Sequence, residues 1–147
     1  MAYAHDMRAR TATNCQDVAA TQLVDILLVE DSHAEARLIE ALLTQSRNPR
    51  FRVTRVAEAH AAQSHLTHGT AVDVVLLDLN LPDSQGLATF SCVQRVAPQV
   101  PIVVLTGMGD ESLGLEASRL GAQEYLIKGS VRADLLIRTL RFAIERN

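Results

Sequence analysis

Chemically reactive side chains follow directly after four short apolar runs of this 147-residue chain. The residues in these positions are Glu30 with Asp31, then Asp78, Thr106 and Lys128. If the runs are parallel strands of one sheet, their carboxyl ends meet at one edge and bring three carboxylates, a hydroxyl and an amine together. A single polar residue at a strand end is more often a helix cap or a turn former, so the prediction depends on the whole set.

This set of side chains predicts phosphoryl chemistry supported by a metal ion. Three neighbouring carboxylates repel one another, so we predict a hard divalent cation, Mg²⁺ or Mn²⁺, beside them. Asp78 is the candidate nucleophile, because a carboxylate can form an acyl phosphate. Thr106 and Lys128 can neutralise the oxygens of a phosphoryl group during its transfer.

The elements that must position these residues alternate regularly along the chain. Five short runs of aliphatic and β-branched residues are separated by longer amphipathic segments. Residues 25–29 and 73–77 are apolar on both faces, as central strands require, whereas residues 51–56 alternate and carry two arginines, as an edge strand does. We predict an α/β fold: a doubly wound, five-stranded parallel sheet in the flavodoxin-like order 2-1-3-4-5, with helices on both faces.

Local signals set the limits of the domain and of its helices. Ser32, Asp110 and Ser130 are predicted to cap helices, and Gly121 is predicted to end one in a left-handed conformation. Residues 1–22 lack periodicity and are predicted to form a flexible N-terminal extension, which leaves 23–147 as the folded domain.

Composition excludes several classes of function. Aromatic residues make up 3% of the chain and the net charge is −3, so neither base stacking nor a basic surface supports direct nucleic-acid binding. The apolar runs are far shorter than a membrane span needs, and no signal peptide is evident. Cys15 and Cys92 lack the spacing of a zinc site or a disulfide scaffold, so a cytoplasmic location is expected.

Four segments resemble the response-regulator receiver domain of two-component signalling. They are Ile26–Asp31, Val74–Pro82, Val103–Gly107 and Tyr125–Lys128, in the order and spacing of that family. The resemblance implies that a histidine kinase or a phosphotransfer protein phosphorylates Asp78 from a phosphohistidine. It also implies that Glu30, Asp31, Asp78 and the backbone carbonyl of Asn80 arrange Mg²⁺.

The resemblance implies further roles around this site. Thr106 and Tyr125 match the switch pair that rearranges on phosphorylation, and Asn80 and Met108 match positions that tune the lifetime of the phosphorylated state. Family members usually carry proline after the lysine, often with a cis peptide, whereas this chain has Gly129. We therefore expect a trans peptide there, and the resemblance does not predict the geometry of this loop.

Two classes of function stay open at this stage. The favoured one is a phosphoacceptor regulator, not an enzyme, that dephosphorylates slowly and signals to a downstream protein target. It is expected to lack an output domain, since the chain ends at Asn147, and it could form a homodimer through its last two helices and last strand. The alternatives are a receiver domain excised from a larger hybrid protein and an aspartyl-phosphate phosphatase or phosphotransferase. The enzyme is disfavoured because Asn80 stands where such enzymes have a second acid.

Overall fold

The computed structural model describes residues 22–147, so the predicted extension lies outside the described residues except for Gln22. Seven strands and five helices follow one another in this part of the chain. The strands are β1 Leu23–Val29, β2 Arg50–Val56, β3 Val74–Asp78, β4 Asn80–Leu81, β5 Ser84–Gln85, β6 Ile102–Thr106 and β7 Glu124–Ile127. The helices are α1 His33–Leu43, α2 Ala59–His68, α3 Leu87–Val96, α4 Glu111–Arg119 and α5 Ala133–Arg146.

Five of the strands form one parallel sheet in the order β2-β1-β3-β6-β7. Without the two-residue strands β4 and β5, this is the predicted order 2-1-3-4-5. β1 and β3, the predicted central strands, each have a neighbour on both sides, as does β6, and every residue of β3 and β6 is buried, whereas β2 lies at the edge and alternates between exposed and partly buried residues. The prediction of central and edge strands from hydrophobic pattern is confirmed.

Helices cover both faces of the sheet, as predicted. Alternate residues of one strand point to opposite faces, so Ile26 and Leu28 pack with α1 and α5, whereas Leu27 and Val29 pack with α2 and α3. Two hydrophobic cores result, one on each side of the sheet. No helix within residues 22–147 is long and apolar enough to cross a membrane.

The predicted helix caps are confirmed in part. The Ser32 hydroxyl accepts a hydrogen bond from the Glu35 N–H and caps α1. Asp110 occupies the position before α4, but its side chain makes no capping hydrogen bond. The prediction for Ser130 is wrong: its N–H donates to the Ile127 carbonyl in a turn, and α5 begins three residues later. Gly121 has a φ of 123°, as predicted for a left-handed helix end.

The segment after Asp78 forms a short antiparallel hairpin of β4 and β5. Asp83 lies at its turn and accepts hydrogen bonds from the N–H groups of His60 and Ala59. The hydrogen bond from His60 and the one from Ala59 hold the pKa of the Asp83 carboxyl below its usual value, and the bond from His60 contributes more. Asp83 therefore caps α2 from a distant part of the chain and ties the hairpin to that helix.

Candidate functional site

The predicted acidic residues meet at the carboxyl edge of the sheet. β1 and β3 are neighbours, and their register pairs Val29 with Leu77, so the residues that follow these two lie side by side. One carboxylate oxygen from each of Glu30, Asp31 and Asp78 lies within 4.8 Å of the other two. Glu30 and Asp78 are buried, at 0% and 4% exposure, whereas Asp31 is exposed.

Lys128 joins the two buried acids. Its Nζ lies 2.7 Å from Asp78 Oδ2, to which it donates a hydrogen bond, and 2.6 Å from Glu30 Oε1. Burial alone would lower the pKa of the Lys128 ammonium, but hydrogen bonds and charge from Asp78 and Glu30 outweigh it and raise that pKa above its usual value. Lys128 is the single lysine of the whole chain. The ammonium therefore offsets part of the negative charge of the acidic cluster.

Glu30 has one carboxylate oxygen with unused bonding capacity. Oε2 accepts a hydrogen bond from the Ser32 N–H, whereas Oε1 is buried and makes no hydrogen bond in the described part of the chain. Lys128 and Oε1 thus form a close ion pair whose angles do not meet the geometry of a hydrogen bond. Burial, aided by the Asp78 charge, raises the pKa of the Glu30 carboxyl to about 7 despite opposing contacts with Lys128 and Ser32.

These donors fit a hard divalent cation. Mg²⁺ takes oxygen ligands and is commonly bound by one or two carboxylates together with a phosphate. The cluster offers three carboxylates with oxygens within 4.8 Å of one another, and the ammonium of Lys128 offsets only part of their charge. The residues present therefore match the chemistry of magnesium binding.

Asp78 is held in one orientation by contacts to both of its oxygens. Oδ1 accepts a hydrogen bond of 3.0 Å from the Asn80 N–H, and Oδ2 accepts the one from Lys128. Asn80 itself is exposed, and the role of its carbonyl as a metal ligand stays a prediction. An oriented carboxylate beside an ammonium suits attack on a phosphoryl group.

Thr106 lies on the neighbouring strand with its hydroxyl turned away from the acids. Asp78 pairs with Leu105 in the sheet, so Thr106 extends one residue further along the same edge. Its hydroxyl donates to the Leu126 carbonyl at 3.4 Å, at the weak end of the hydrogen-bond range, and its own carbonyl accepts from the Lys128 N–H at 2.8 Å. The backbone is thus fixed, whereas the hydroxyl has a partner that it can readily leave.

The other residues singled out in the sequence lie around this centre. Tyr125 packs against the core beside α4, and Met108 is 79% exposed in the loop between β6 and α4. The Lys128–Gly129 peptide is trans, as expected, and Gly129 has a φ of 85° that glycine adopts without strain.

In the sequence, Arg55 indicated only an edge strand. In the structure its guanidinium contacts the loop that carries Glu30 and Asp31. The available signal was an arginine near the end of a strand that neighbours this loop, but the pattern did not show where the side chain points.

Comparison with known proteins agrees with this architecture. A family model described as the response regulator receiver domain matches residues 26–140. The chain belongs to the response regulator receiver domain family. Receiver domains are signalling modules whose general role is to accept a phosphoryl group, so the resemblance seen in the sequence is confirmed.

Individual relatives are larger proteins that contain such a domain. The chain is 34% identical over 119 residues to the luminescence regulatory protein LuxO of Vibrio campbellii, a match that covers 81% of this chain and 25% of LuxO. It is 32% identical over 112 residues to a protein-glutamate methylesterase/protein-glutamine glutaminase of Anaeromyxobacter dehalogenans, covering 76% of this chain and 32% of that protein. The chain thus spans only about a quarter to a third of these relatives.

Solved receiver domains have the same fold. A response regulator receiver domain protein from Clostridium thermocellum superposes with a TM-score of 0.72 at 26% identity, covering 84% of this chain and 95% of that one. The receiver domain of a sensor histidine kinase from Pseudomonas aeruginosa matches with a TM-score of 0.68 at 31% identity, over 83% and 98% of the two chains. That structure has a magnesium ion coordinated in its active-site cleft.

Proposed function

We propose that this protein is a phosphoacceptor switch in which Asp78 receives a phosphoryl group from the phosphohistidine of a histidine kinase or phosphotransfer protein. The observation that carries the proposal is the position of Asp78: a buried carboxylate, oriented through both oxygens, between two further acids and an ammonium. In the reaction an oxygen of Asp78 bonds to phosphorus, the phosphorus–nitrogen bond breaks, and the imidazole nitrogen leaves with the electron pair and takes up a proton.

The surrounding residues have distinct roles in this proposal. Lys128 neutralises the phosphoryl oxygens, and Thr106 turns its hydroxyl from Leu126 toward them. Tyr125 follows the movement of Thr106 as the second member of the switch. Asn80 and Met108 are the proposed determinants of how quickly water removes the phosphoryl group.

Glu30, Asp31, Asp78 and the Asn80 carbonyl are the proposed ligands of Mg²⁺, for which Mn²⁺ can substitute. The ion supplies charge neutralisation at the phosphoryl oxygens when it is bound. The carboxylates of this chain provide its oxygen ligands, and Lys128 compensates the charge that they carry beyond that of the ion. The magnesium-bound receiver domain from Pseudomonas aeruginosa supports this assignment.

Signalling is proposed to occur through contact with a downstream protein. Large apolar side chains are exposed on or directly after the last two helices, where they can contact a target or a second copy of the chain. These side chains are Leu115, Leu120, Leu135 and Phe142. Because the relatives named above are several times longer than the matched segment, a receiver domain of a larger protein is the second candidate, with the same chemistry at Asp78.

The test is phosphorylation of the purified protein by acetyl phosphate with Mg²⁺, followed by intact mass spectrometry. The wild type is expected to gain one phosphoryl group, and Asp78→Asn to gain none. The matched control is Asp134→Asn, an exposed aspartate in the first turn of α5 that pairs with Arg132 rather than with a residue of the site, and it should be labelled like the wild type. Full labelling of Asp78→Asn would overturn the assignment. Rapid repeated turnover of the phosphodonor by the wild type would favour an enzyme instead.

A further inference from the structure

Arg55 on the edge strand β2 binds the loop that carries two of the acids. Its Nε donates a 2.9 Å hydrogen bond to the carbonyl of Glu30, and its Nη2 donates one of 3.0 Å to the carbonyl of Asp31. Its Nη1 lies 3.3 Å from Nδ1 of His33, at the start of α1. One planar guanidinium thus contacts three residues of the connection between β1 and α1.

The two acids of this loop differ in how they are otherwise held. Glu30 has a backbone hydrogen bond from its N–H to the Val56 carbonyl, and its side chain is buried against Lys128. The Asp31 side chain is exposed and forms no salt bridge within residues 22–147. The hydrogen bond from Arg55 to its carbonyl is therefore a main restraint on the position of Asp31.

We propose that Arg55 is a positioning residue that fixes the backbone of Glu30 and Asp31, so that their carboxylates face Asp78 before the metal binds. This inference depends on the proposed function of the acidic cluster as a magnesium site. Because Arg55 binds backbone carbonyls, it leaves the carboxylate oxygens available to the cation. It also opposes the mutual repulsion of the three carboxylates, which would otherwise move the exposed Asp31 outward.

The direction in which Mg²⁺ affinity changes when Arg55 is substituted distinguishes a positioning role from a purely electrostatic one. A positive charge close to a cation site weakens cation binding, so the loss of the Arg55 charge alone would strengthen Mg²⁺ binding. Loss of the two carbonyl hydrogen bonds would instead release the loop and weaken Mg²⁺ binding. Substitution of a residue that orients metal ligands through hydrogen bonds typically lowers metal affinity by about 10- to 100-fold.

The experiment measures Mg²⁺ affinity by isothermal titration calorimetry on the full chain. Arg55→Gln is expected to bind Mg²⁺ about tenfold more weakly than the wild type. Arg55→Lys, which retains the charge but lacks the planar fork, is expected to recover only part of that loss. Arg52→Gln is the matched control: Arg52 lies on the same strand but pairs with Asp25 at its other end, so this variant should bind like the wild type.

A second measurement needs neither metal nor activity. Amide hydrogen exchange at Ser32 in the metal-free protein should be faster in Arg55→Gln than in Arg52→Gln, with other protected amides unchanged. Equal or tighter Mg²⁺ binding by Arg55→Gln, or unchanged exchange at Ser32, would overturn the inference. If Arg55→Gln does not fold, Arg55→Lys is compared with Arg52→Lys by the same two readouts. Failure of the wild type to bind Mg²⁺ would refute the proposed function, whereas the exchange data would still test the restraint by Arg55.

Discussion

The ring of Tyr125 lies directly against the backbone of Gly114 in α4. A methyl group at position 114 would come within 2.7 Å of Cδ2 and 2.8 Å of Cγ of that ring. These atoms are close to the tyrosine backbone, so a small rotation of the side chain does not remove the overlap. The absence of a side chain at Gly114 therefore allows α4 to pack against β7, and it leaves room for the tyrosine proposed as part of the switch.

Gly114→Ala is expected to destabilise the protein even though alanine is the better helix former. Alanine gains about 1 kcal/mol in helix propensity, but overpacking of a buried contact costs about 1–3 kcal/mol. The free energy of unfolding, measured in urea, should therefore decrease or at best stay level. In the Tyr125→Ala background the two ring contacts are absent and only the 3.1 Å approach to Cβ of residue 125 remains, so the same substitution should destabilise the protein less than it does in the wild type. A clear gain in stability from Gly114→Ala in the wild-type background would contradict the packing described here.

The Lys128 ammonium is expected to remain protonated to an unusually high pH in the metal-free protein. Its contacts with Asp78 and Glu30 raise the pKa of Lys128 above the ordinary 10.5, although burial acts in the opposite direction. Because the chain has one lysine, protein made with ¹³C-labelled lysine should show a single side-chain signal whose pH titration reports Lys128. Asp78→Asn should lower the midpoint, whereas Asp134→Asn should not. A wild-type midpoint at or below the ordinary value would show that the ion pairs do not form in solution.

Magnesium affinity is expected to depend on pH through Glu30. The pKa of Glu30 is about 7 in the folded protein and 4.5 ordinarily, so folding favours the protonated form. The stability that this contributes to the metal-free protein is complete below the ordinary pKa and is lost as pH rises through about 7. Since the proposed Mg²⁺ site uses the ionised carboxylate of Glu30, the affinity for Mg²⁺ should rise with pH up to about 7 and then level off.

Calorimetric titrations with Mg²⁺ between pH 5.5 and 8.5, roughly bracketing that pKa, would measure this dependence. Glu30→Gln has a side chain of the same shape without a titrating proton. This variant should bind Mg²⁺ more weakly, and its affinity should change little around neutral pH. A wild-type affinity that is constant across this range would argue against protonation of Glu30. An equally steep dependence in Glu30→Gln would assign the titration to another group.

Much of the fold was predictable because its signals are local. A continuous hydrophobic run such as Val74–Leu77 is typical of a strand that is buried on both faces. The alternating pattern of β2 is typical of a strand with one solvated side. Parallel strands then place the residues that follow them at one edge. For this reason the juxtaposition of Glu30, Asp31 and Asp78 could be predicted from sequence positions alone.

The helix caps show where local signals were insufficient. A serine before a helix can cap it, and Ser32 does so, but Ser130 is used in a turn that precedes α5. The cap of α2 comes instead from Asp83, which is 23 residues away in sequence from His60. A pattern that considers only adjacent residues could not identify this cap.

The sequence by itself determined the order of the elements, the edge of the sheet that carries the acids and the type of chemistry that they can support, because periodicity and strand ends are properties of short segments. Only the tertiary structure decided that Arg55 holds the loop of Glu30 and Asp31 and that Gly114 makes room for Tyr125. It also decided that the Thr106 hydroxyl points to Leu126 rather than to Asp78. These features depend on side-chain direction and on distances between segments far apart in the chain, which are set only when the helices and the sheet pack together.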